Sequence, residues 1–129
     1  MIYILINLAA IGAATLAGLL IGFIWLRVSG LAVPGWKSLL VAALAEFWLA
    51  AILAGALILA PDEAGVWVMA LGSAVVIWAG FVVPVLAVTF AAQGLERRQT
   101  ISASLHWLAV MMAQASLMQA IGLVPPPVG

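Results

Sequence analysis

The chain has 129 residues, of which 68% are hydrophobic and 6% charged, with four Lys+Arg balancing four Asp+Glu and no Cys. An ordinary soluble domain carries roughly 25% charged residues, so a soluble globular fold is excluded. The zero net charge removes a basic field for nucleic acid, and the missing Cys removes disulfides, thiolate metal sites and cysteine nucleophiles together.

The charged residues divide the chain into four apolar runs, each at or above the ~20 residues a helix needs to cross about 30 Å of hydrocarbon. Residues 2–26 contain no charge and are apolar on all faces, which predicts a membrane helix and not the alternating strands of a barrel. No Lys or Arg precedes this run and it continues through residues 18–26, so it is expected to be a retained helix and not a cleaved leader. Ala14, Gly18 and Gly22 recur on it at four-residue spacing and include a GxxxG, the pattern that lets backbones approach in lipid. Arg27 and Lys37 flank a connection broken by Gly30, Pro34 and Gly35. A second helix is expected over 38–60, with Ala42, Ala43, Glu46, Ala50 and Ala54 on one side. Pro61 and the acidic PDEAG turn lead into a third over 66–92, with Ser73, Gly80 and Ala87 on one face and a kink at Pro84. Arg97 and Arg98 fall in the connection 93–100, and the fourth helix is expected over 101–123. On it Ser102, His106, Ala109, Ala113, Ser116 and Ala120 lie within an arc of about 80° at 100° per residue. The tail LVPPPVG cannot continue a helix.

The expected fold is therefore all-α, an integral membrane four-helix bundle forming one transmembrane domain over 1–129. All four basic residues fall on one side and Asp62 and Glu63 on the other. Positive-inside then predicts an N-out/C-out, multi-pass membrane protein with loops 27–37 and 93–100 cytoplasmic. Trp25 and Trp36 would anchor the inner boundary and Tyr3 and Trp67 the outer, whereas Trp48 and Trp78 fall deeper and need packing partners.

Glu46 is the one charge with no task in topology or turns. It lies eight residues beyond Ser38, about 12 Å along the axis, too deep to snorkel, and an intramembrane acid is a functional candidate by default. Its expected partner is His106, five residues or about 8 Å into the fourth helix, the two forming an intramembrane proton or ion-pair site. Three readings stay open. Glu46 bonds to His106, Ser102 or an indole and fixes helix register; or it is the proton-coupling carboxylate of a transporter, with Phe47 and Trp48 beside it for a lipophilic or cationic substrate; or His106 is an axial haem ligand completed by a partner chain. One His and one buried Glu do not fill a metal shell, so no metal and no cofactor is expected. Asn7, Thr15, Thr89, Gln114, Ser116 and Gln119 are expected to bond across helices, Gln114 and Gln119 lying off the small-residue face toward an oligomer contact. No nucleophile with its base, phosphate loop or HExxH is present, and an enzyme is not expected.

The function these residues favour is that of a small multi-pass inner-membrane protein with a structural or partner-associating role, packing through Gly18, Gly22, Ala109, Ala113 and Ser116. Its expected partners are the bilayer and a second copy or another membrane protein, with no nucleic acid. The alternative is a proton-coupled small-molecule transporter using Glu46.

The opening NLAAIGAATLAGLLIGFIWL with its GWK connection, and the later GLERRQTISASLHWLAVMMAQASLMQAIG, resemble the bacterial membrane family known as domain of unknown function 1761. Gly22, Trp25, Gly35, Trp36, Glu96, Arg97 and Arg98 fit its pattern of an apolar first helix with a late Gly and Trp and an E-R-R turn before the last helix. The resemblance spans nearly the whole chain, with a first connection that is short for the family, and implies a four-helix fold in the bacterial cytoplasmic (inner) membrane without an activity. In length and helix number the chain is also similar to small multidrug resistance transporters, whose intramembrane Glu lies in the first helix where this one lies in the second.

Overall fold

The structure, a computed structural model, describes residues 1–128. Its elements are α1 (Ile2–Ile6), α2 (Leu8–Val28), α3 (Trp36–Leu59), α4 (Val66–Ile77), a π-helical turn (Trp78–Val82), α5 (Val83–Ala92) and α6 (Arg97–Ile121). Four spans are long and apolar enough to cross a membrane: Leu8–Val28, Trp36–Leu59, Val66–Ala92 and Arg97–Ile121. The chain is an all-helical, four-span membrane protein, because only helices that satisfy their own backbone groups suit runs this long and this apolar. Consecutive spans reverse direction through short connections, so the basic residues gather at one end of the bundle and the Asp62–Glu63 turn lies at the other.

Beyond shifts of one or two residues at helix ends, the helices depart from expectation in three places. The first run is divided at Asn7, which leaves helical geometry at φ −111° and ψ 18°. Its side chain supplies the reason: Nδ2 donates to the carbonyls of Tyr3 and Val124, each at 2.8 Å, and Oδ1 accepts from the Val124 N–H at 2.7 Å. Asn7 thereby bonds across the bundle, to the tail that leaves α6 at Gly122 with φ +94°. The third span changes register in its middle, at the π turn ahead of Pro84. Pro84 lacks an N–H and its ring clashes with the carbonyl four residues back, and the preceding π turn, in which the Val83 N–H reaches the Trp78 carbonyl, absorbs that conflict with one extra residue. The extra residue rotates the face, so that Gly80 and Ala87 point outward while Ala70 and Ala74 are buried. The fourth span begins at Arg97 and not near Ile101, since Glu96 and Gln99 form a capping box with the Glu96 N–H donating to Gln99 Oε1 at 2.9 Å. Arg97 and Arg98 are thus the first turn of the helix and not a loop.

α6 is the central element, packing against α2, α3 and the third span. Its apolar stretch is 44% buried, against 6% for that of Val66–Ala92, so the third span is peripheral. Alanines dominate the core, with Ala14, Ala50, Ala54, Ala74 and Ala115 fully excluded and Ile11, Leu53, Met111 and Met118 filling the space between. In lipid there is no hydrophobic drive between helices, and small side chains let backbones come close enough for dispersion to hold them. The small-residue track expected on α6 does not form that core. Ala109 and Ala120 are exposed and Ala113 and Ser116 half-buried, while Ala103, Val110, Met111, Gln114 and Met118 are buried. A helix with three neighbours needs bulk at its centre, which the methionines provide, and the small residues border that face.

Candidate functional site

Glu46 sits ten residues into α3, about 15 Å from its start, and is 4% exposed. The surface it meets is the glycine pair of α2. A Cβ at Gly18 would overlap Glu46 Oε2 and stand 2.9 Å from Gln114 Nε2, and a Cβ at Gly22 would stand 3.8 Å from Glu46 Oε1 and 3.5 Å from His106 Nε2. The carboxylate therefore spans the two glycines, with the Gln114 amide at the Gly18 end and the imidazole at the Gly22 end. Gly18 and Gly22 are a cradle for a polar group and more than a seam between helices.

Glu46 and His106 come to the same glycine without bonding to each other: Glu46 Oε2 and His106 Nε2 have no hydrogen-bond partner among the described residues. Neither do Gln114 Nε2 and Oε1, although Gln114 is fully buried. Its place in the core corrects the expectation that Gln114 faces an oligomer contact, because the buried stripe of α6 passes through position 114. Among the described residues no group of three His, Cys, Asp or Glu side chains comes together.

His106 is held by aromatic stacking. The Trp25 ring lies on it with centroids 4.6 Å apart and planes at 20°, and Trp107 is tilted at 5.0 Å. Trp25 is itself fixed by donating Nε1–H to Ser102 Oγ at 3.1 Å, so Ser102 serves the indole and not Glu46. His106 Nε2 is buried facing Gly22, which leaves no slot for a porphyrin at that nitrogen. Trp48, expected beside Glu46, is 52% exposed. Residues two apart on a helix do not share a face, and Trp25 is the aromatic that reaches the site instead. Trp78, the other deep indole, finds the Ser104 carbonyl at 2.7 Å. Thr15 bonds back to the Ile11 carbonyl of its own helix at 2.8 Å, not across the bundle.

The arrangement offers a carboxylate and a carboxamide side by side in a low-dielectric interior, with an imidazole one helical turn along. Such groups take up or release a proton, or bind a polar or cationic group, and each buried polar atom left unbonded costs about 1–3 kcal/mol. No family model, curated protein or solved structure matches the chain.

Proposed function

We propose that this is a proton-coupled carrier of lipophilic cationic small molecules in the bacterial inner membrane, N-out/C-out, with Glu46 as the carboxylate occupied in turn by a proton and by the substrate. One observation carries this reading: four side-chain nitrogen and oxygen atoms lie buried without partners on Glu46, Gln114 and His106, the three side chains that meet at Gly18 and Gly22. A bundle needing only to pack loses stability at each of them, whereas a binding site uses them. A proton neutralises Glu46 and removes its desolvation cost; a cation does the same by charge, and Trp25 adds an aromatic face. Gln114 then orients the bound group, and His106 passes protons between Glu46 and the basic end.

The test is uptake of tetraphenylphosphonium into proteoliposomes driven by a proton gradient. Wild type is expected to accumulate the cation and Glu46→Gln, with unaltered helicity, to lose gradient-driven uptake by about tenfold or more, since the exchangeable charge is gone. Uptake by Glu46→Gln at the wild-type rate overturns the reading, and so does a wild type that takes up no cation.

A second reading is association with another copy or another membrane protein. The outward Gly72, Gly80 and Ala87 of the third span support it, an open small-residue face of the kind helices use to approach each other in lipid. Membership of the four-helix family that the sequence resembles fits either reading, since it implies a fold and no activity.

A further inference from the structure

At the basic end of the bundle two recesses meet at one guanidinium. The first, about 420 Å³, is lined on its polar side by Ser29, Arg98, Gln99 and Ser102, with Phe90 and Leu95 on its apolar wall. The second, about 520 Å³, is an open groove between α2 and α6, walled by Ile21, Ile24, Val28, Ile101 and Leu105 and closed by His106 and Ala109. Arg98, Trp25 and Ser102 line both. The groove follows α6 from residue 101 to 109, about 12 Å at 1.5 Å per residue. It exists because the small-residue track borders the bundle: the Ser102 and Ala109 side chains are too short to fill it.

We propose that this site binds an anionic phospholipid, with its phosphate on Arg98 in the polar recess and one acyl chain in the groove beside His106. A polar recess and an apolar groove joined at a cation have the shape and polarity of such an amphiphile. The guanidinium presents paired N–H donors that match phosphate oxygens, and the serine hydroxyl and glutamine amide beside it supply further neutral bonds. The acid nearest in sequence, Glu96, is engaged in the capping box of α6, so the helix end is already closed and the attraction belongs to the side chain. No acidic side chain lines either recess. A zwitterionic headgroup would therefore bring an ammonium with nothing to meet it, and the site favours net negative charge. The apolar groove selects a lipid over a free phosphate, whose binding would leave it uncovered.

Native mass spectrometry of the purified protein with equal amounts of phosphatidylglycerol and phosphatidylcholine of identical chains tests this. Wild type is expected to retain phosphatidylglycerol in about tenfold preference, which Arg98→Gln abolishes and Arg27→Gln, at the same end but outside both recesses, preserves. Ala109→Phe, which fills the groove from an exposed position, is expected to remove both lipids. Equal retention of the two lipids by wild type, or an unchanged preference in Arg98→Gln, overturns the proposal. Displacement by glycerol phosphate alone, or lipid-free dimers resistant to added lipid, overturns it in favour of a free anion or a second copy. Glu46→Gln is expected to keep the lipid preference, so failure of the carrier reading and failure of this one are separate results.

Discussion

At the level of single residues, the contrast between two glycines of one helix tests whether the cradle is real. Gly18 faces the carboxylate and the Gln114 amide, both buried, so Gly18→Ala forces these two side chains to shift where there is little free space. Overpacking of this kind costs about 1–3 kcal/mol. Gly12 has nothing within 4 Å of its Cβ position, so Gly12→Ala is expected to leave stability unchanged or raise it by up to about 1 kcal/mol through helix propensity. Reversible unfolding in mixed micelles measures both, and equal effects would show that Gly18 packs against nothing special. Glu46 and His106 were legible in the sequence because an ionisable group in an apolar run stands out by cost alone. Gln114 was not. A glutamine carries no charge to mark it, and the arc of small residues directed attention to the neighbouring face, whereas burial follows the methionines at 111 and 118. Trp25 reads as an interfacial anchor by position, and only the fold brings its ring onto His106.

Elements were legible where hydropathy defines them and obscure where hydrogen bonding does. Four helices follow from run length, yet nothing in hydropathy separates α1 from α2, because Asn7 acts through a distant tail. The π turn is equally silent, since its cause is the conflict of Pro84 with the backbone behind it. The early start of α6 had an available signal in Glu96 and Gln99 at capping-box spacing, masked by two arginines that read as loop. Asn7 provides the element-scale prediction. Its amide forms two bonds with the Val124 backbone and one with Tyr3, tying the entry of the first span to the exit of the last. Asn7→Ala is expected to free the tail, raising hydrogen exchange at the Val124 amide, and to destabilise the bundle by about 1–2 kcal/mol, the net worth of two such bonds. Unchanged protection of that amide would mean the tail is held by Leu123 packing on the core and not by Asn7.

For the whole molecule, charge predicts which way the bundle stands, while the arrangement of its helices escapes the sequence. The spans are apolar on every side, so periodicity does not reveal that α6 is central and the third span peripheral. Direction is a different matter. Arg27 lies 5.9 Å from the Phe23 ring and Lys37 5.7 Å from the Trp36 ring, with Arg97 and Arg98 on the first turn of α6, so every basic side chain stands at one end. The positive-inside bias counts Lys and Arg and hardly Asp and Glu, so four basic residues gathered at one end predict that this end faces the cytoplasm. The absence of native Cys makes the test direct, because a single introduced thiol is the only one in the chain. Ala64→Cys, in the acidic turn, is expected to react with an impermeant maleimide in intact cells, and Gln93→Cys, between α5 and α6, only after the inner face is opened. Labelling of residue 93 with protection of residue 64 would invert the topology. It would also place the Arg98 recesses in the outer leaflet and the proposed proton path through His106 on the opposite side of the membrane.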